Sequence, residues 1–162
     1  MGRAELRQTP ELKDFHRFII NETENGRIFR QEKVSMVPVT LLNPKNVDRI
    51  LDMCAAPGSK TIQLLEYLYN GVVDKVKTTG FVIANDADAK RAYMLTHQAR
   101  RLNLPALFVS VIDARKFPSF KCGSELRSFR FDKVLCDVPC SGDGTLRKNV
   151  GLWKTYHAHL GH

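Results

Sequence analysis

The sequence predicts an α/β protein built on a parallel, doubly wound sheet. Short apolar runs recur along the chain, and each is followed by a stretch with helical periodicity. The first run also opens into a glycine-containing turn, Asp52-Met-Cys-Ala-Ala-Pro-Gly-Ser-Lys-Thr61. Strands that alternate with helices in this way are joined by right-handed crossovers between parallel neighbours. A chain of 162 residues with a hydrophobic fraction of 43% can build one core of this kind.

The individual elements follow in chain order. Thr9-Pro10-Glu11 predicts a helix start, and the apolar residues after it, up to Ile19, recur at the spacing of a helix that packs through one face. Residues 30–38 predict a loop or a short helix that Pro38 ends or restarts. The remaining elements are strand one at 49–53, helix A at 59–69, strand two at 81–84, helix B at 87–102, strand three at 107–112, a polar loop carrying Lys116, Lys121 and Arg127, and strand four at 131–137.

The turn after strand one is the first candidate for a ligand site. Ala55, Ala56 and Gly58 carry little side-chain bulk, and the first amides of the following helix have no partner within it. The dinucleotide fingerprint needs three glycines and the phosphate loop needs Gly directly before Lys, so neither pattern matches. An adenosine-type ligand with a small charged tail, such as S-adenosylmethionine, remains, and the alternative is an ordinary strand-to-helix turn.

Four carboxylates fall at or near the predicted strand ends: Asp52, Asp86, Asp113 and Asp137. Parallel sheets bind ligands at that edge, and a carboxylate after strand two can accept hydrogen bonds from both ribose hydroxyls. Asp113 is predicted beside the adenine amine, with a helix cap for the residues after it as the alternative. Lys60 lies in the first turn of helix A, where a cation is unfavourable, so we expect a compensating anion beside it.

Composition narrows the class of protein. Lys and Arg number 25 against 17 Asp and Glu, and the net charge of +8 favours polyanions such as nucleic acid. No apolar run approaches the roughly 20 residues that span a bilayer, and no signal-peptide pattern is present, so we expect a soluble intracellular protein. The four cysteines form no C-x-x-C pair, which predicts free thiols and no metal site. Cys136 is predicted to be a small buried residue.

Two motifs in order carry a resemblance that extends from about Phe15 to about Lys154. The turn and the segment Asp137-Val-Pro-Cys-Ser-Gly-Asp-Gly-Thr-Leu-Arg-Lys148 together resemble the Sun-type RNA cytosine-5 methyltransferases. Asn85-Asp86 and the segment from Arg30 to Pro38 resemble the eukaryotic transfer-RNA branch. The resemblance implies a Rossmann-like methyltransferase fold, S-adenosylmethionine as cofactor, an RNA partner and a location in the nucleus, including the nucleolus, or in the cytoplasm. We expect an N-terminal helical segment at 1–44 and a partial methyltransferase domain at 45–162, ending after about strand four.

The resemblance also implies roles for individual residues. The cofactor contacts are Cys54, Ala55, Ala56, Pro57, Gly58, Ser59, Lys60, Asp86, Asp113 and Asp137. Asp137 acts on ring nitrogen 3 of the cytosine, and Cys140 assists proton removal and product release. Arg147 and Lys148, with Arg100 and Arg101 of helix B, are predicted to meet RNA phosphate, although such pairs on a helix face are often only solvated. Residues 30–38 are predicted near the site.

One feature departs from the family pattern. The family's nucleophile lies in a downstream Thr-Cys motif, and no Thr-Cys pair occurs in these 162 residues. We therefore expect a cofactor-binding piece of the enzyme that is inactive alone and self-associates or is marginally stable through an open sheet edge. Two alternatives remain: a non-catalytic RNA-binding or regulatory module that kept the cofactor pocket, and an enzyme in which Cys140 is the nucleophile, as in DNA cytosine methyltransferases.

Overall fold

The computed structural model describes residues 9–71, 78–122, 127–146 and 149–157. Its helices are α1 at Pro10–Glu24, α2 at Lys33–Leu42, α3 at Ser59–Tyr69, α4 at Ala89–Ala99 and α5 at Leu152–Thr155. Its strands are β1 at Arg49–Asp52, β2 at Phe81–Asn85, β3 at Leu107–Ser110, β4 at Lys121–Cys122, β5 at Arg127–Ser128 and β6 at Lys133–Leu135. Short 3₁₀ turns stand at Arg100–Leu102, Ala114–Lys116 and Asp143–Thr145.

The main sheet has four strands in the order β3-β2-β1-β6, and every neighbouring pair is parallel. The chain adds β2 and β3 on one side of β1 and then crosses to the other side to add β6. This reversal between β1 and β6 is the place where open parallel sheets bind ligands, at the carboxyl ends of the strands. The predicted parallel α/β fold and its four strands are confirmed, with β3 and β6 shorter than expected.

One face of the sheet carries most of the core. Ile50 and Val82 are fully buried there, and α3 packs Leu64, Leu65 and Leu68 against them. These leucines lie on one side of an amphipathic helix, and burying each contributes about 1.5–3 kcal/mol. Val39 of α2 is fully buried in the same cluster, so α2 belongs to this core.

The opposite face of the sheet is only partly covered. Phe108 and Val134 lie there with 58% and 47% of their surface exposed. Phe81 packs on this side between Phe108 and Phe129, with ring centroids 5.6 and 5.9 Å away. The predicted polar loop is therefore wrong in part: it contains an antiparallel hairpin of β4 and β5, flanked by aromatic residues that pack together.

Two expectations for the N-terminal helices also need correction. The helix at Pro10–Glu24 forms as predicted, but none of its residues is buried, and Phe15 and Phe18 are more than half exposed. Pro38 does not end or restart the second helix, because α2 runs through it to Leu42. The carbonyl of Val34 loses its helical donor at Pro38, and Val34 is 75% exposed, so water can satisfy that carbonyl.

The domain boundary at residue 44 stays a prediction. Among the described residues, no helix is both long and apolar enough to span a membrane.

Candidate active site

The turn between β1 and α3 is held by both neighbouring strands. The amide of Met53 donates to the carbonyl of Leu135 in β6 at 2.9 Å, and the amide of Ala55 donates to the carbonyl of Asn85 in β2 at 2.7 Å. Ala55, Ala56 and Gly58 are buried. The turn is therefore a rigid part of the sheet edge, whose backbone faces the reversal between β1 and β6.

Asn85 is a positioning residue that the sequence analysis did not single out for a role. Its side chain is fully buried, and its amide nitrogen donates to the carbonyls of Met53 and Ile112 at 3.0 and 2.8 Å. Its amide oxygen accepts from the hydroxyl of Ser110 and the amide of Ile112. All four hydrogen-bonding positions of the side chain are thus used to join three strand ends. The signal for it was an Asn next to the acidic residue that ends a buried strand.

Gly58 also packs against helix α4, and its predicted contact with the cofactor stays a prediction. Its φ is +109°, which favours glycine, and a Cβ at this position would lie 3.3 Å from Cγ of Leu95 in α4. The missing side chain therefore makes room for helix α4. Arg91 of α4 contacts the same turn, where its guanidinium donates to the carbonyl of Ala56 at 2.6 Å.

Asp86 is 3% exposed and lies directly under the turn. One carboxylate oxygen accepts from the amide of Ala56 at 3.1 Å, and the other accepts from the amide of Asp88 at 3.0 Å. Arg91 lies 3.5 Å from the first of these oxygens. Each carboxylate oxygen has two lone-pair positions, so Asp86 keeps acceptor capacity after these two bonds.

Asp52, at the end of β1, is 1% exposed and accepts a hydrogen bond from the hydroxyl of Thr61 at 2.7 Å. Burial raises the pKa of Asp52 to about 6, and the bond from Thr61 and the charge of Lys60 oppose that rise only in part. The site therefore contains a carboxyl group that titrates close to neutrality. Thr61, like Asn85, is a residue of the site to which the sequence analysis assigned no role.

Lys60 and Asp137 join the two motifs across the strand reversal. The ammonium of Lys60 lies 2.7 Å from Oδ2 of Asp137, and the lysine side chain is 19% exposed while the aspartate is 56% exposed. This pair confirms the expectation of an anion beside Lys60. The pair lines a cavity of about 40 Å³, together with Asp52, Cys54, Ala55, Ala56, Pro57 and Ser59. We call this cavity the cradle. Ligand pockets measure roughly 300–1,000 Å³, so the cradle holds only the end of a larger ligand.

Asp113 lies after β3, at the side of the site. Its carboxylate pairs with Arg115 at 2.7 Å and accepts from the amide of the same residue at 3.0 Å, capping the 3₁₀ turn at Ala114–Lys116. The side-chain hydrogen bond from Arg115 lowers the pKa of Asp113. The structure thus has the cap that was the alternative prediction, and the adenine contact stays a prediction.

The cysteines differ in exposure. Cys140 is exposed in the loop after β6, on the same loop as Asp137. Cys136 is exposed as well, so its predicted burial is wrong, because the loop leaves the sheet directly after Leu135. Burial raises the pKa of the half-buried Cys54 thiol. Among the described residues, no group of three or more His, Cys, Asp or Glu side chains can hold a metal ion.

The segment before α2 contacts the turn, as predicted. The side-chain amide of Gln31 donates to the carbonyl of Ser59 at 2.5 Å. Arg100 and Arg101 lie at the far end of α4 from the turn. The predicted phosphate contacts Arg147 and Lys148 lie outside the described residues.

Comparison with known proteins gives consistent matches. The family model described as 16S rRNA methyltransferase RsmB/F matches residues 39–159. The tRNA (cytosine(34)-C(5))-methyltransferase of Drosophila melanogaster is 50% identical over 94% of this chain and 21% of that protein. The multisite-specific tRNA:(cytosine-C(5))-methyltransferase of Saccharomyces cerevisiae is 46% identical over 96% of this chain and 23% of that protein.

A solved structure agrees with these matches. The structure of NSun6 from Pyrococcus horikoshii with SFG has a TM-score of 0.60 and 33% identity, over 75% of this chain and 28% of that one. The chain thus spans less than a quarter of the curated relatives described above. The matched range 39–159 contains the turn, all four strand-end carboxylates and Cys140. The predicted Rossmann-like methyltransferase fold and the Sun-type resemblance are confirmed, and the chain belongs to the RsmB/F methyltransferase family.

Proposed function

We propose that this chain is the cofactor-binding part of an S-adenosylmethionine-dependent RNA cytosine-5 methyltransferase that acts on transfer RNA. The observation that carries the proposal is the junction of the two motifs, in which Lys60 of the turn contacts Asp137 of the loop after β6 at 2.7 Å. Relatives that are 50% and 46% identical are named for methyl transfer to carbon 5 of cytosine in tRNA.

The residues of the cradle fit the proposed cofactor in chemical type. The unpaired first amides of α3 and the ammonium of Lys60 suit the carboxylate of the methionine part, beside the backbone of Cys54, Ala55 and Pro57 to Ser59. The remaining acceptor capacity of Asp86 suits the ribose hydroxyls, and Asp113 suits the exocyclic amine of adenine. Binding requires the Lys60–Asp137 contact to move, because the cavity is only about 40 Å³.

The reaction chemistry assigns distinct tasks to the residues of the exposed loop. When bound, the cofactor supplies an electrophilic methyl group. Once its contact with Lys60 has opened, Asp137 accepts a hydrogen bond from ring nitrogen 3 of the target cytosine as that nitrogen takes up a proton, and so favours addition of the nucleophile to carbon 6. Cys140 on the same loop assists removal of the C5 proton and release of the product.

Methyl transfer tests this proposal directly. The chain is incubated with transfer RNA and S-adenosylmethionine carrying a labelled methyl group, and 5-methylcytosine is measured in the RNA. Because the whole enzyme's activity belongs to a longer protein in the relatives, the same assay is run on a full-length relative with the equivalent of Asp137 changed to Asn. Loss of product in that variant supports the proposal, and unchanged product contradicts the role of Asp137.

A second candidate is a non-catalytic RNA-binding or regulatory module that keeps the cofactor pocket. The turn and the strand-end carboxylates proposed to hold the cofactor all lie within this chain. Such a module binds S-adenosylmethionine and RNA but transfers no methyl group, even when the remainder of a relative is added in trans. Methyl transfer restored by that addition would exclude the module.

Cys140 as the nucleophile is the third possibility. Its exposure makes its thiol accessible to the target cytosine of an RNA. An RNA with 5-fluorocytosine at the target position traps a covalent link to the nucleophile, and peptide mapping identifies the cysteine. A link at Cys140 would establish this mechanism, and a link at another cysteine of a full-length relative would exclude it.

We further propose that the protein works in the nucleus or cytoplasm, and that 45–162 forms a partial methyltransferase domain behind an N-terminal helical segment at 1–44.

The half-exposed Phe108 and Val134 on the open sheet face support self-association of the chain. Sedimentation velocity tests this last point: a concentration-dependent shift to larger species is expected, and a compact monomer at all concentrations contradicts it.

A further inference from the structure

A crevice with two arginines lies between the end of α1 and the end of α4, away from the cradle. We call it the arginine crevice. It measures about 440 Å³ and is lined by Thr23, Phe29, Arg30, Gln98 and Arg101. Its volume is within the roughly 300–1,000 Å³ of small-molecule sites. None of the described residues that line it is acidic.

The backbone holds the crevice in shape. The turn after α1 contacts the 3₁₀ turn after α4 closely at Gly26, where an added Cβ would lie 2.2 Å from the carbonyl oxygen of Arg101. Gly26 has a φ of +71°, which also favours glycine. The guanidinium of Arg101 lies 3.5 Å from the carbonyl of Thr23, a long contact that leaves its other donors available.

The charges of the crevice are not neutralised within the described part of the chain. Arg30 and Arg101 make no ion pair with a described carboxylate, whereas neighbouring Arg27 is paired with Glu22 at 3.2 Å. Two guanidinium groups in one concave site favour an anion with several oxygens, above all a phosphate. Phe29 adds an aromatic surface and Gln98 adds an amide that can donate and accept.

The crevice connects to the cradle through the chain. Arg30 directly precedes Gln31, whose amide donates to the carbonyl of Ser59 at the cofactor turn. Along α4, Gln98 lies ten residues after the cap Asp88 beside the cradle, which is about 15 Å at 1.5 Å per residue. A strand of RNA can therefore reach both sites within a few nucleotides.

Resting on the proposed RNA substrate, we infer that the arginine crevice binds one unstacked nucleotide of that RNA, near the target cytosine. The phosphate lies between Arg30 and Arg101, the base stacks on Phe29, and Gln98 hydrogen-bonds the base edge. Aromatic stacking beside a basic groove is the usual way in which proteins hold single-stranded nucleic acid. The larger groove of about 700 Å³ around Arg100 does not fit as well, because the lining residues include no aromatic side chain.

The test measures binding of a fluorescein-labelled, mixed-sequence single-stranded RNA to the full chain by anisotropy. We expect Arg30→Gln with Arg101→Gln to weaken binding about tenfold and to lower the salt slope by about 0.7, since the crevice neutralises one phosphate and each neutralised phosphate of a single strand contributes about 0.7. Phe29→Leu is expected to weaken binding about fivefold without changing the salt slope. The control is Arg17→Gln, an arginine on the exposed side of α1, expected within about twofold of wild type.

Binding of S-adenosylhomocysteine, measured on every variant, separates the possible failures. Unchanged affinity for it shows that the variants fold and that the cradle is intact. If the double variant binds RNA as wild type does, the crevice is not the RNA site. If wild type binds S-adenosylhomocysteine but no RNA, the proposed RNA substrate itself fails, and the crevice assignment fails with it. If a polyglutamate peptide displaces the RNA as effectively as unlabelled RNA does, the crevice is a general anion site and the nucleotide assignment is overturned.

Discussion

The turn after β1 and the loop after β6 carry the two halves of the candidate site, and they differ in how they are held. The turn is buried at Ala55, Ala56 and Gly58 and is tied by hydrogen bonds to Leu135, Asn85 and Asp86. The loop carries Asp137 and Cys140 in exposed positions, and the contact from Lys60 is its visible link to the turn. The fold therefore preorganises the cofactor half, while the half that meets the base is set by one partly exposed ion pair.

Removing the carboxylate of Asp86 should have the largest effect on stability. Asp86→Ala leaves the amides of Ala56 and Asp88 without acceptors in a buried place, which we expect to lower the free energy of unfolding by about 3 kcal/mol. Urea unfolding followed by circular dichroism measures the change. A loss similar to that of an exposed substitution would show that the turn is not held by this carboxylate.

Asp52→Asn should change stability in a pH-dependent way. The pKa of Asp52 is raised from 3.8 to about 6 in the folded protein. The folded state therefore binds more protons than the unfolded state between these values, and the contribution of Asp52 to stability falls as pH rises from about 4 to about 6.

The variant lacks this titration. Its free energy of unfolding should therefore rise by about 2 kcal/mol relative to that of wild type as pH increases from 4 to 7. Thermal unfolding of both proteins across this range measures the difference. A constant difference between the two proteins at all pH values would contradict the raised pKa of Asp52.

Gly58→Ala tests how tightly the turn is packed against α4. We expect a loss of about 1–2 kcal/mol, from the positive φ and from the approach of the new methyl group to Leu95. Gly71→Ala is the matched control, because Gly71 has a φ of +73° but no atom within 4 Å of an added Cβ. Equal losses in the two variants would assign the whole effect to backbone strain and none to packing.

Asp137→Asn and Lys60→Met should have the smallest effects on stability, below about 1 kcal/mol each, because Asp137 is more than half exposed. Urea unfolding measures both variants alongside Asp86→Ala. A loss at Asp137 as large as that at Asp86 would remove the contrast between the two halves.

The sequence predicted the half of the site that depends on chain order. Parallel strands place their carboxyl ends at one edge, so the meeting of Asp52, Asp86 and Asp137 around the turn followed from strand positions alone. The pairing of Asp113 with Arg115 depends on side-chain rotamers, and the two readings of Asp113 could not be separated from the sequence. Burial of Cys136 was predicted from residue type, but it depends on the point at which the loop leaves β6.

Several other features required the three-dimensional structure. The β4–β5 hairpin was concealed because its charged residues read as a loop while the aromatic residues around it pack together. The helix through Pro38 persists because Val34 is exposed, which the local pattern does not reveal. The arginine crevice joins Arg30 with Arg101 across 71 positions of sequence.

The most direct test of the account is calorimetric titration of S-adenosylhomocysteine into the full chain and into Asp86→Asn. The account predicts binding at a single site in wild type, weakened by about 1–3 kcal/mol in the variant because the ribose loses a charged acceptor. Circular dichroism of both proteins verifies that each is folded. Folded wild type that binds no ligand, or equal affinity in the two proteins, would contradict the claim that this turn and its carboxylate hold the cofactor.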